Sequence, residues 1–307
     1  MNYIKIVGMG EKLPVRTTEF NGMTRYRISN NETQISMAVD AVQEALEDAS
    51  LTINQIDVIV SACSFGSQPI PNMSALIHEQ IAKGSSVPCL DINTTCTSFI
   101  SALDTLSYMI QAGRYKNVLI VSSEVPSLAL NPEQRKSFEL FSDCAVAMVI
   151  SKDNHKESYV KFASQKTYSE GAHDTEIKGG GTAFLPNMYT GENDHMYQFD
   201  MKGKRAIRLT KDKIIPFVND LRKSVDNEID YVVPHQASLV LDNLMKRIGF
   251  TNSEYISIVK SHGNMVSASV PFAFKLAVDK GLIKRGDNVL LIGTAAGLHI
   301  NGLVLKY

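Results

Sequence analysis

The chain has 307 residues, enough for one large domain or two fused halves of about 150 residues each, with 44% hydrophobic and 21% charged residues and a formal net charge of −1. That balance gives no general electrostatic reason to bind nucleic acid or an acidic membrane, and no apolar run approaches the roughly 18–20 residues of a membrane span. Cys63, Cys89, Cys96 and Cys144 form no Cys-x-x-Cys pair, so no disulfide framework and no metal site is predicted, and a reduced cytoplasmic protein is expected.

The first predicted element is a strand over Tyr3–Val7 that ends in a Gly turn; the opening residues lack a signal peptide's long apolar region. Residues 32–51 place Ile35, Ala38, Val39, Val42, Ala45 and Leu46 on one stripe, which predicts an amphipathic helix. Apolar runs of strand length follow at 56–64, 117–125, 144–151, 229–235 and 287–297. Their apolarity is continuous rather than alternating, which suggests strands buried on both faces. Helical patterns at 208–225, 239–250 and 270–283 alternate with them, and strand–helix alternation argues for a layered α/β fold. A helix followed by a buried strand recurs in the two halves, a sign of internal duplication, although direct residue identity between the halves is slight. The stretch from His155 to about Lys204 is polar and Gly-rich and reads as a long excursion over a site or an interface.

Within this order, "VPCLDINTTCTSFISALDTLSYMIQAGRYKNVLIVSSEV" reads as strand, tight turn, buried helix and strand. Cys96 falls at or beside the helix N-terminus, where unpaired N–H groups and the macrodipole favour an anion and are expected to lower a thiol's pKa. Cys63, Cys89 and Cys144 lie in or beside apolar strands and read as small core residues. "DYVVPHQAS" sets His235 directly after a buried strand, and "VKSHGNMVSASVPFAF" sets Asn264 in a loop before a helix of small residues. Each alone has an ordinary reading, a loop histidine and a turn or cap asparagine. Together with Cys96 they fit a Cys–His–Asn arrangement, whose members need be close only in space.

Several stretches, in order along nearly the whole chain, resemble the thiolase-fold condensing enzymes and, among them, β-ketoacyl-[acyl carrier protein] synthase III. "DINTTCTSF" resembles the nucleophile motif, "FSDCAVAMVI" the Asp strand, "PHQAS" the family's His motif, "HGNMVSASVP" its Asn loop and "GTAAGLHINGLVL" its C-terminal hairpin. The resemblance implies two duplicated α/β halves, residues 1–154 and 155–307, in a five-layered α-β-α-β-α architecture. It implies that Cys96 takes an acyl group from a coenzyme A or phosphopantetheine thioester. His235 and Asn264 would then stabilise the enolate formed when a malonyl-type thioester loses carbon dioxide. The backbone N–H groups of Cys96 and Ala296 would form an oxyanion hole. It further implies a homodimer, an acyl carrier protein as partner and no tightly bound cofactor. Thr294, Ala295 and Ala296 stand where a biosynthetic thiolase needs a second cysteine.

The departures bear on substrate. The chain has no Trp, so the family's adenine-side Trp is missing, while Arg135 matches its adenine-side arginine. Gly203, Lys204, Ile207 and Ser238 are expected along the pantetheine tunnel, with Lys202, Arg205 and Arg208 extending a basic rim suited to an acidic carrier protein. Ser238 and Val240 replace Asn and Arg, and Ser98, Ser142 and Cys144 replace glycines. Ile70 occupies the place of the aromatic residue that crosses the dimer into the partner's acyl pocket. A specialised pathway is thus expected beside fatty-acid initiation. The alternatives are transfer of the Cys-bound acyl group to a hydroxyl, amine or non-malonyl carbon, and a non-catalytic partner of another ketosynthase.

Overall fold

Two sheets with matching strand order organise the molecule, and the computed structural model describes residues 1–307. The chain enters β1 (Ile4–Lys12), turns through the hairpin β2 (Thr17–Phe20) and β3 (Met23–Tyr26), and forms α1 (Gln34–Asp48). Then come β4 (Val58–Ser61), α2 (Met73–Ile81), β5 (Cys89–Asp91), α3 (Ser98–Gln111), β6 (Asn117–Glu124), the short α4 (Arg135–Phe138) and β7 (Cys144–Lys152). The second half supplies β8 (Tyr159–Thr167), the two-residue strands β9 (Thr175–Glu176) and β10 (Asp200–Met201), and α5 (Gly203–Ser224). It closes with β11 (Tyr231–Pro234), α6 (Leu241–Arg247), α7 (Ser269–Asp279), β12 (Asn288–Ala295) and β13 (His299–Lys306).

The first sheet has the order β1-β7-β6-β4-β5 and the second β8-β13-β12-β11, with Tyr255 bridging to Val232 beyond β11. Directions match as well: β4 and β6 are parallel, as are β11 and β12, and the remaining pairs toward β1 and β8 are antiparallel. The continuous apolar runs follow from burial on both faces. In β6, Val118 and Ile120 point to the central core while Leu119 and Val121 point outward under α1 and α2. In β12, Val289 and Leu291 face the centre while Leu290 and Ile292 face α5 and α6. Between the sheets lie α3 and α7, which bury Phe99, Leu103 and Leu106 on one helix and Phe272 and Phe274 on the other. The result is five layers, α-β-α-β-α. Helix α1 starts at a capping box in which Thr33 and Ser36 exchange side-chain-to-backbone hydrogen bonds.

Two predicted features change. Strand β1 does not stop at Val7 but runs through Gly8 and Gly10 to Lys12. Those glycines let α1 lie against the strand: a Cβ on Gly8 would sit 2.2 Å from the Ala45 carbonyl oxygen, and one on Gly10 2.1 Å from that of Ala41. The polar excursion from His155 also contains β8, the edge of the second sheet, whose Lys161 and Lys166 pair with Glu228 and Asp220. An edge strand with one wet face is polar in composition and reads as loop.

Gly10→Ala is therefore expected to push α1 off β1 and destabilise the fold by about 1–3 kcal/mol, read as a lowered urea midpoint at unchanged slope. An unchanged midpoint would mean that the helix is not seated on these glycines.

Candidate active site

A cavity of about 1230 Å³ is lined by residues from both halves, among them Cys96, Glu124, His235, Asn264 and Ala296. Its volume exceeds the roughly 300–1,000 Å³ of a pocket for one drug-sized ligand. The N-terminal turns of the two central helices form part of its wall, and they are built alike. Before α3, Asn93 Oδ1 accepts the Thr95 N–H at 2.8 Å, Thr95 takes φ 50°, and Ser98 Oγ accepts the Thr94 N–H at 3.0 Å. Before α7, Asn264 Oδ1 accepts the Val266 N–H at 2.8 Å, Val266 takes φ 53°, and Ser269 Oγ accepts the Met265 N–H at 2.9 Å. Ser98 and Ser269 thus have the same task, which accounts for a hydroxyl where the family motif carries glycine. Left-handed backbone at Thr and Val costs energy that the surrounding hydrogen bonds must offset.

The Asn264 loop is clamped from outside. Asn264 N–H donates to the Leu140 carbonyl and the Asn264 carbonyl accepts from Ser142 N–H, each at 2.9 Å. Gly263 (φ 80°) has no room for a side chain, since a Cβ would lie 2.6 Å from the Leu140 carbonyl oxygen. Arg25 is fully buried beside it and donates to the carbonyls of Thr24, Glu139 and Lys260. With Oδ1 held by Val266, the amide nitrogen of Asn264 has no partner in the chain and is free to donate.

His235 follows β11 and is held by its backbone N–H to the Ile292 carbonyl at 2.8 Å. Gln236, fully buried, donates to the carbonyls of Pro234 and Ile256 and accepts the Ile258 N–H, which locks the turn. Gly293 leaves space for the imidazole: a Cβ there would lie 3.1 Å from that of His235. Burial pushes the His235 pKa down to about 4, so the ring is neutral at pH 7, and its Nδ1 has no hydrogen-bond partner. A neutral imidazole and a carboxamide can both donate to one oxygen without fixing a charge in the cavity.

Cys96 departs from expectation. The backbone N–H groups of Ala296 and of Cys96 itself favour its anion, but burial and then the charge of Glu124 outweigh them and push the thiol up to about 12. Cys96 rests as the thiol. Sequence reasoning counted the helix terminus and overlooked Glu124, a carboxylic acid buried at the end of an apolar strand. The "SSEV" run carried that signal.

Of the substrate positions, Arg135, Gly203, Lys204, Ile207 and Ser238 line the same cavity, and Ile70 does not; it is 85% exposed. Arg135 is ion-paired to Glu139 (Nε–Oε1, 2.6 Å), and Arg205 to Asp174 at 3.1 Å, so the predicted basic rim is smaller than its count of cations. Lys202 starts α5, with its N–H donating to the Asp174 carbonyl. The wall beside Cys96 is apolar, formed by Leu130, Phe141, Phe199 and Val266.

Two family models match the chain: 3-oxoacyl-[acyl-carrier-protein] synthase III over residues 90–171 and the C-terminal part of the same enzyme over 222–307, more than half of the chain between them. Among curated relatives, the β-ketoacyl-[acyl-carrier-protein] synthase III of Clostridium perfringens (strain ATCC 13124) is 29% identical over 93% of this chain and 88% of its own length. That of Aquifex aeolicus is 26% identical over 99% of both. The crystal structure of the 3-oxoacyl-[acyl-carrier-protein] synthase III from Aquifex aeolicus VF5 superposes with a TM-score of 0.87 at 25% identity, covering 99% of this chain and 100% of that one. The priming β-ketosynthase of the R1128 polyketide pathway shares the fold, with a TM-score of 0.87 at 22% identity over 99% of this chain and 96% of that one.

The depressed His235 pKa has a sign that can be tested. Between about pH 6.5 and 4 the unfolded chain binds a proton at this histidine and the folded chain does not, so His235 lowers stability as pH falls through that window, by about 3 kcal/mol in all. Urea unfolding at pH 7.5 and pH 5 should show a smaller acid loss in His235→Gln than in the unaltered protein; equal losses would mean that the imidazole is protonated in the fold.

Proposed function

The chain belongs to the 3-oxoacyl-[acyl-carrier-protein] synthase III family of thiolase-fold condensing acyltransferases, and from that premise we propose that Cys96, His235 and Asn264 carry out its chemistry in the shared cavity. The observation that carries this reading is that three residues distant in sequence, together with Ala296, line one cavity.

In the loading step the Cys96 sulfur attacks the carbonyl carbon of an acyl thioester. The backbone N–H groups of Cys96 and Ala296, both in the cavity lining, stabilise the oxyanion, and one such donor is typically worth about 3 kcal/mol. The C–S bond to the donor breaks, and the proton from Cys96 leaves with the departing thiol. A malonyl-type thioester then enters. His235 N–H and the Asn264 amide donate to its carbonyl oxygen, the bond to its carboxylate breaks, and carbon dioxide departs while the electron pair forms an enolate. The enolate carbon attacks the acyl-Cys96 carbonyl, a C–C bond forms, and the Cys96 thiolate is expelled and reprotonated. Neutral donors suit this step, because a cation would grip the malonyl carboxylate that must leave.

On substrates, we take the acyl donor as a coenzyme A thioester and the extender as a malonyl thioester, as the family resemblance implies, with the extender on an acyl carrier protein, the carrier that the relatives' names print. Lys204 and Lys136 at the cavity support docking of an acidic carrier. The matched sheets support halves divided at 1–154 and 155–307. We also propose a homodimer in which Ile70, exposed and away from its own cavity, lines the partner's acyl pocket, and a cytoplasmic location; no helix is long and apolar enough to cross a membrane.

Cys96→Ala should abolish acyl-enzyme formation, read as loss of the mass increment after incubation with acyl thioesters. Asn264→Ala should load normally but release carbon dioxide from malonyl thioester about 100-fold more slowly. Equal loss of loading in both variants would contradict the division of roles, and loading without any carbon dioxide release by the unaltered protein would point to a different acceptor.

A further inference from the structure

Superposing the two turns in register pairs Asn93 with Asn264, Thr95 with Val266 and Cys96 with Ser267. Ser267 therefore stands in the second half where the nucleophile stands in the first, and its hydroxyl is already engaged. It donates to Glu124 Oε1 at 2.5 Å, and the Ser64 N–H donates to the same oxygen at 2.5 Å. Glu124 ends β6, is 2% exposed and lines the cavity that holds Cys96. No lysine or arginine is paired with it; serine and backbone donors offset its desolvation only in part, and burial pushes its pKa up to about 7. The titratable neighbours that feel its charge are Cys96 on the α3 turn and Cys63 after β4, while His235 after β11 is neutral.

We propose that Glu124 is a positioning residue of the condensing site: its buried side chain fastens the end of β6 and the Ser64 backbone to the loop that presents Asn264, and, where ionised, it sets a negative charge in the cavity that Cys96 lines. The inference rests on the roles given above to Cys96 and Asn264. Its two parts have separate consequences. Burial is the main reason that Cys96 rests as the thiol, and Glu124 adds to it as pH rises through about 7 and the carboxyl ionises. The hydrogen bond to Ser267 fixes a residue three positions after Asn264, through a backbone already strained at Val266, and so fixes the carboxamide's aim.

The test uses the full chain and two readouts. Alkylation of Cys96 by iodoacetamide, followed by peptide mass mapping across pH 6–10, reports the thiol without any acyl substrate; malonyl-thioester decarboxylation by acyl-loaded enzyme reports the Asn264 side. Glu124→Gln keeps the shape and an acceptor oxygen but removes the charge, so its alkylation profile should move to lower pH. A profile displaced by about one pH unit corresponds to alkylation about tenfold faster at pH 8. Ser267→Ala keeps the charge and cuts the tie, so its alkylation profile should stay at that of the unaltered protein while decarboxylation falls about tenfold or more. Glu124→Asp, which keeps the charge with a shorter reach, should behave like Ser267→Ala, and Glu124→Met, uncharged at similar length, replaces Glu124→Gln in the alkylation test if Glu124→Gln fails to fold. Superimposable alkylation profiles for Glu124→Gln and the unaltered protein would overturn the electrostatic part, and unchanged decarboxylation in Ser267→Ala the positioning part. If the unaltered protein never loads an acyl group, the condensing role itself fails, and the alkylation profiles still judge Glu124.

Discussion

The structure depends on one constraint met twice: an asparagine side chain must catch the N–H two residues ahead so that the next helix can begin with its first turn facing the cavity. Asn93 does this before α3 and Asn264 before α7, each forcing a non-glycine residue into left-handed backbone. Both helices are buried between the sheets, so neither turn can relax outward without opening the core around Phe99 and Phe272. Strain at Thr95 and Val266 is tolerable because the layers over-determine it. The same packing makes the site rigid before any substrate arrives, which is where a condensing reaction draws much of its rate.

Electrostatically, none of the three side chains given the chemistry is a cation at neutral pH. His235 is neutral, Asn264 cannot ionise, and Cys96 stays protonated under the joint effect of burial and Glu124. Helix termini are often invoked to activate cysteines, and here two backbone N–H groups do favour the anion. Desolvation is the larger effect. On the proposed mechanism those N–H groups therefore matter more for the oxyanion than for the resting thiol, since stabilisation realised only in the transition state is what accelerates a reaction.

Much of this architecture was legible in the residues. Strands buried on both faces leave continuous apolar runs, and β6, β7, β11 and β12 were found by them. Cys96, His235 and Asn264 sit beside such runs at strand or helix ends, where side chains emerge into a cavity. What stayed hidden was long-range. Gly8 and Gly10 look like a turn until α1 is seen pressed on them, and β8 looks like loop because one of its faces is wet. Arg135 and Arg205 read as free cations because their partners, Glu139 and Asp174, are identified only by packing. Internal duplication left little residue identity because what is repeated is a hydrogen-bond pattern, which Asn and Ser satisfy while the positions between them vary.

That freedom explains how one duplicated scaffold came to hold an asymmetric site. The position that carries Cys96 in one half carries Ser267 in the other, and the position after the buried parallel strand carries His235 in the second half and Ala62 in the first; both backbones make the same bond, to the carbonyls of Ile292 and Val121. Strand ends differ in the same sense, with Glu124 closing β6 where Ala295 closes β12. Each half thus supplies one kind of group and leaves its counterpart position to packing. Cys96 comes from the first half and faces the uncharged end of β12, while Glu124 reaches the same cavity from the end of β6. The donors come from the second half with Glu124 opposite, so a carboxylate can hold Ser267.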